Sequence, residues 1–378
     1  MPTIRRLSFI GLEYSFAPEK AYGMSRGGGF RRQGGLVEVE TDQGVTGIGE
    51  AFGNPLVTRE YFSMLEPMFV GRSVFDFDHV EAKVRNAIYH LGVGNQLTSC
   101  LAGINVALWD AMARGFGVRV CDLIGGCGAT RFPAYASTGF FSDDPDRQLE
   151  HMMAEAAAHP YAGAKIKIGR GIRSDVERVK LAREALGPDK LLLVDINGAY
   201  TVDVALECAR AIEPFDIHWI EEPLPPGDFR GYAELRARSP IALAAGEAHH
   251  MVRDFRALID GRCIDIVQPS IPGVGGITEA KRVVALAHAQ NLRVAPHVWG
   301  GAVGLATACH FLAALPATPH TDHPPHPSML EYDMSDNALR TKLLKSPLVL
   351  EDGHILLPEG PGLGIELDRD AVERYRVC

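Results

Sequence analysis

Asp195, Glu221 and Glu247 recur at intervals of 26 residues, and each stands where a short apolar run ends. That interval fits one strand plus one helix, so the three carboxylates would sit at matching ends of neighbouring parallel strands. Held that close, they repel one another and raise each other's pKa unless a cation sits among them. An all-oxygen set with room for water or a substrate carboxylate suits Mg²⁺, with Mn²⁺ as the alternative. Zinc fits poorly, because no His/Cys set shares the spacing. One such acid would read as a surface group; three in register read as a metal site.

A second group is basic. Lys165 and Lys167 flank Ile166, so on a strand both lysines point one way and the isoleucine the other. In a barrel the lysine side must be the interior, because Ile166 has to meet the helices. Each ammonium, and a nearby cation, would lower the other's pKa, which makes a usable general base. His297 ends a later strand, across the mouth from Lys167. Lysine on one side and histidine on the other would remove a proton from one face and deliver one to the opposite face.

These side chains need a scaffold that gathers strand ends. Apolar runs at 133–137, 164–168, 191–196, 218–220, 242–245, 264–267, 292–295 and 329–332 alternate with amphipathic stretches. Ser174-x-x-Glu177 reads as a capping box, and Thr201 precedes the helical stretch 202–212. The expected fold is α/β, a (β/α)₈-type barrel over residues 129–348. Residues 1–128 would form an α+β capping domain, completed by residues 349–378 folding back on it. Within the cap, residues 3–15, 36–41 and 45–50 read as strands, 101–114 as a helix, and Ala17–Gly35 as a mobile loop. His320, His323 and His326 share a proline-rich loop, so their spacing carries no helical geometry.

Composition narrows the partners. A net charge of −9 argues against nucleic acid or an anionic membrane as the main partner, and no apolar run is long enough to span a bilayer. The N-terminal residues lack a signal-peptide pattern, and seven scattered cysteines without a CxxC pair fit a reducing compartment. A cytoplasmic homo-oligomer acting on a small carboxylate is expected.

In order and spacing, the Lys-x-Lys, Asp-x-Asn, Glu-Glu-Pro and Gly-Glu motifs, with Pro-His-Val-Trp-Gly at 296–300, resemble the enolase superfamily, in its mandelate racemase-like branch. Ala107–Asp110, Leu123–Gly126 and the late Pro-Gly-Leu-Gly-Ile-Glu extend the likeness over essentially the whole chain. The resemblance implies abstraction of the proton α to a carboxylate, giving an enediolate held on Mg²⁺. It assigns Asp195, Glu221 and Glu247 to the metal and Lys167 to the base. Lys165 and Glu331 would contact the substrate carboxylate, while Asn197 and Glu222 stand behind the ligands. Tyr22, Arg26, His249 and Trp299 are candidates for substrate contact from the loops. The departure is Ser270, where the branch usually has an aspartate bonded to the histidine. Serine can orient an imidazole but offers no charge to an imidazolium, so His297 is expected to be the weaker base. That favours dehydration of a sugar acid, with racemase, epimerase or lactone cycloisomerase as the alternative. A non-catalytic carboxylate-binding descendant is the reading from outside enzymology.

Overall fold

The structure, a computed structural model, describes residues 1–17, 21–91, 94–144, 148–326 and 328–378. The expected loops at 17–35 and 316–327 therefore fall partly outside the described residues. The first domain is built on β1 (Ile4–Ser15), β2 (Tyr22–Met24), β3 (Gly27–Gly29), β4 (Arg31–Thr41) and β5 (Thr46–Phe52). β1, β4 and β5 form an antiparallel sheet in the order β1-β4-β5. Alternation divides the sheet's faces: Val37 and Val39 join the core beneath helices Pro55–Phe69, Phe77–Ala87 and Asn95–Phe116, while Leu36 joins the core shared with the barrel.

Ala17–Gly35 is not simply the loop expected. β2 and β3 pair antiparallel as a hairpin, and β4 begins at Arg31 rather than Leu36. A run of glycines has little strand propensity of its own, which is why the sequence pattern misses this segment. Contacts to the second domain hold it instead: Phe141 N–H donates to Gly23 O at 2.9 Å, and Ser25 Oγ donates to Ile196 O at 2.6 Å.

The second domain is the barrel. Its strands are β6 (Arg131–Ser137), β7 (Gly163–Lys167), β8 (Leu191–Asp195), β9 (Ile217–Glu221), β10 (Leu243–Ala245), β11 (Ile266–Val267), β12 (Arg293–Val294) and β13 (Leu330–Asp333). All eight expected runs become strands, trimmed or shifted by a few residues. Neighbours pair in parallel from β6 to β12, and β13 returns to pair with β6. Inward residues Tyr135, Leu193, Trp219, Ala244, Ile266 and Ala295 fill the interior as one packed layer. Outward residues Ile166, Val194 and Ile220 meet the helices. Two residues on from Leu193 and Trp219, still facing inward, come Asp195 and Glu221.

The C-terminal segment divides its contacts. β15 (His354–Leu356), the partner of β14 (Leu350–Glu351), pairs antiparallel with the start of β6, under the barrel rather than on the N-terminal domain. Farther on, Val120 N–H donates to Gly362 O at 2.9 Å and Gly11 N–H to Cys378 O at 2.8 Å, which does tie the chain end to the N-terminal domain.

The sheet of the first domain sits almost directly on its long helix. A Cβ at Gly49 of β5 would lie 2.0 Å from Gly103 O and 2.9 Å from Ala107 N, both backbone atoms that cannot move aside. Gly49→Ala is therefore expected to force sheet and helix apart and to destabilise the fold by about 1–3 kcal/mol, read from the urea midpoint.

Candidate active site

The inward parity of β7 brings Lys165 and Lys167 to the barrel mouth, both buried. Lys165 Nζ pairs with Glu221 Oε1 and lies 2.8 Å from Glu331 Oε1. Lys167 Nζ pairs with Asp195 Oδ2. The expected depression of the lysine pKa supposes a cation beside them; the protein's own carboxylates act in the opposite sense. Burial works to lower both ammonium pKa values, but Glu221 and Glu331 outweigh it at Lys165, and Asp195 does so at Lys167, so both stand above their ordinary value. Among the protein's own groups, the lysines are the counter-ions of these carboxylates.

Asp195, Glu221 and Glu247 converge so that one ligand oxygen from each lies within 4.8 Å of the others. Two of them are held from behind. Asn197 N–H and Nδ2 donate to Asp195 at 2.9 and 3.2 Å. Trp219 Nε1 and Gln268 Nε2 both donate to Glu221 Oε2, at 3.1 and 2.7 Å. Gln268 had no assigned role in the sequence, although its place at the end of β11 marks it. Backbone strain collects here too: Asn197 and Glu222 adopt φ of 51° and 40°.

The charge balance points to a cation. Asp195, Glu221, Glu222, Glu247 and Glu331 meet two lysines and one histidine. Burial, with repulsion from the neighbouring carboxylates, raises Glu222 and Glu247, while Lys165 overcomes burial to hold Glu221 low. Asn197 Oδ1 and Glu222 Oε1 are buried without a hydrogen-bond partner. An all-oxygen donor set with surplus negative charge and unsatisfied acceptors fits a hard divalent cation.

His297 stands at the end of β12, bridged through its backbone to Ser270. Its Nε2 lies 3.3 Å from Glu247 Oε2. Its Nδ1 is buried with no partner, so the Ser270 hydroxyl does not hold the ring. Glu331 closes the seam between β12 and β13, accepting Val298 N–H at 2.9 Å. Lys167, Asn197, Glu247, Ser270 and His297 line one cavity of about 500 Å³.

Comparison with known proteins agrees with this geometry. Residues 148–371 match the family described as Enolase C-terminal domain-like, and residues 18–125 match the Mandelate racemase / muconate lactonizing enzyme, N-terminal domain. The D-galactarolactone cycloisomerase of Agrobacterium fabrum is 36% identical over 353 residues, 92% of each chain. The chain belongs to the mandelate racemase/muconate lactonizing enzyme family. It is thus an enzyme of the enolase superfamily. The arabinonate dehydratase of Saccharolobus solfataricus is 28% identical, over 90% of this chain and 89% of its own. A racemase from Streptomyces coelicolor, solved with bound magnesium, superposes with a TM-score of 0.86 at 26% identity, covering 99% of this chain and all of its own.

In this family member the hairpin β2–β3 roofs the site. Tyr22 and Trp299 line the cavity and meet edge to face, and the Arg32 guanidinium sits in the corner between them, 4.3 and 4.1 Å from their ring centres. Arg32 is buried and pairs with Asp333 at 3.0 Å, a contact absent from the sequence reading. Two expected substrate contacts are turned elsewhere. Arg26 donates to the carbonyls of Asn197 and Gly198, latching the hairpin rather than lining the cavity. His249 is buried with Nε2 at 2.9 Å from Pro226 O, and the adjacent His250 lines the cavity instead. The histidine-rich loop lies at the opposite end of the barrel, where His326 packs on His218 at the start of β9.

Arg32→Met would strip a buried carboxylate of its nearest cation and remove the guanidinium that packs against both rings. We expect a loss of about 3 kcal/mol and faster amide exchange across residues 22–29. Arg32 and Arg340 overcome burial to hold the Asp333 carboxyl below the usual carboxylate range. A depressed pKa stabilises at neutral pH and ceases to do so as pH falls through it. The stability gap between wild type and Asp333→Asn should therefore be widest near neutrality and shrink below about pH 4.

Proposed function

We propose that this enzyme removes the proton α to the carboxylate of a sugar acid and completes a dehydration. The observation that carries this reading is one cavity holding Lys167 and His297 beside a carboxylate triad, two of whose members are buried while the third, Glu247, faces the cavity. Asp195, Glu221 and Glu247 would hold Mg²⁺, or Mn²⁺ in its place. When bound, the cation supplies the positive charge that acidifies the proton next to the substrate carboxylate and takes over the carboxylates now paired with the lysines. Lys167, no longer paired with Asp195, would give up its ammonium proton to solvent, and the free amine Nζ, buried but with access to the cavity, receives the α-proton. Lys165 and Glu331, one paired to the other, face the carboxylate end of the substrate. His297 donates a proton to the β-hydroxyl, which leaves as water; the enol that remains tautomerises to a 2-keto-3-deoxy acid.

One-way chemistry is supported by the unpartnered Nδ1 of His297. With no carboxylate behind it, the imidazole donates a proton more readily than it takes one from carbon. The likeness to a cycloisomerase supports a second reading, ring opening of a lactone, which begins with the same proton removal and loses no water.

Proton exchange in D₂O tests both. Wild type with substrate and Mg²⁺ should exchange the α-proton, and Lys167→Ala should lose exchange and turnover by about 10²–10⁴-fold. His297→Asn should lose turnover while exchange on the Lys167 side persists. A keto acid lighter than the substrate by one water identifies dehydration; a keto acid isomeric with the substrate identifies the cycloisomerase. Equal exchange at both configurations in wild type would replace either with a racemase or epimerase. Full activity after exhaustive chelation would remove the metal from the account.

A further inference from the structure

The cavity has two unlike ends. Its charged residues, Lys167, Glu247 and His297, cluster at the triad. The rest of the wall includes Phe52, Gln96 and Ser99 of the first domain with His250 and Gly273 of the barrel, and among the described residues it carries no lysine or arginine. Two of its polar side chains are already engaged. Ser99 Oγ accepts Phe52 N–H and donates to Phe52 O, at 2.6 and 2.9 Å, and Gln96 Nε2 donates to the same carbonyl.

His250 is different. Its Nδ1 lies 2.9 Å from Gly273 O. A carbonyl only accepts, so Nδ1 carries the hydrogen, and in the neutral ring this leaves the lone pair on Nε2. Among the described residues nothing bonds to Nε2. The residue is also fixed at its backbone, where its N–H donates to Asp254 Oδ2 at 3.1 Å at the start of helix Met251–Asp260. An anchored imidazole with an open acceptor suits a hydroxyl. A carboxylate against this wall would lose its hydration and meet no fixed cation.

We propose that the enzyme takes an acid with a single carboxylate, whose far end is uncharged and hydroxyl-bearing, and that His250 Nε2 accepts a hydrogen bond from one of those hydroxyls. Aldonates and lactones of sugar acids fit this description; open-chain aldarates, with a carboxylate at each end, do not. The inference rests on the proposed function, since it takes the triad end as the site of the reacting carboxylate.

The test uses the full chain loaded with Mg²⁺ and two matched sets, C5 and C6 aldonates and the aldarates of the same configurations, read by α-proton exchange in D₂O and by kcat/KM. The best aldonate should exceed every aldarate by on the order of 10²-fold. His250→Leu should lower kcat/KM for that aldonate about tenfold, mainly through KM, and His250→Gln should restore most of it. The loss should vanish with an analogue deoxygenated at its far end. An aldarate that exchanges as fast as the best aldonate would overturn the substrate class and leave the proton-abstraction reading standing. An unchanged KM in both His250 variants would overturn the role of His250. Exchange with no acid of either set would overturn the proposed function, and this inference with it.

Discussion

An ammonium buried inside a barrel is the constraint on which the rest depends. Lys165 sits where an apolar side chain would continue the packed interior, and it is kept charged by Glu221 and Glu331. Removing one member would leave an uncompensated buried charge, costing several kcal/mol. The carboxylates, the lysines and the groups that hold them must therefore be present together. Trp219 shows how tightly this layer is joined to the core. Its ring packs in the barrel interior, while its indole N–H holds Glu221.

The same logic joins the two domains. Glu50 of β5 reaches the barrel and accepts the N–H groups of Gly301 and Gly304, at the start of helix Ala302–Ala313. A carboxylate there satisfies donors that the helix leaves unpaired. A Cβ on Gly300 would lie 2.6 Å from that carboxylate, so glycine makes the approach possible. Gly300 follows Trp299 directly, and Trp299 carries Arg32 and the hairpin above it. Hairpin, helix terminus and the strand ends that carry the charged groups thus share one short stretch of chain, which keeps the hairpin of one domain in register with the mouth of the other.

Periodicity carried the barrel and its charged mouth well. Strand parity alone faces Lys165 and Lys167 inward, and the 26-residue interval alone brings Asp195, Glu221 and Glu247 together. What escaped it depends on contacts between distant segments. The β2–β3 hairpin is held by carbonyls more than a hundred residues away, and glycines give no alternation to read. Arg32 looks like a loop charge until Asp333 is placed beneath it. His249 and His250 are adjacent, and only the turn after Glu247 decides which enters the cavity. The state of the lysines needed the structure as well. Charge signs gave depression by the neighbouring lysine and a cation, but not the pairings with Asp195, Glu221 and Glu331, which act against it.

The central claim is that this layer of charge is built around one divalent cation. Titration of the chain with Mn²⁺, followed by electron paramagnetic resonance, measures that directly. The account predicts one tight ion per chain, displaced by Mg²⁺, and lost when Glu221→Gln and Glu247→Gln are combined in a variant that still folds. No tight ion in the wild type, or one that persists in the double variant, would contradict it.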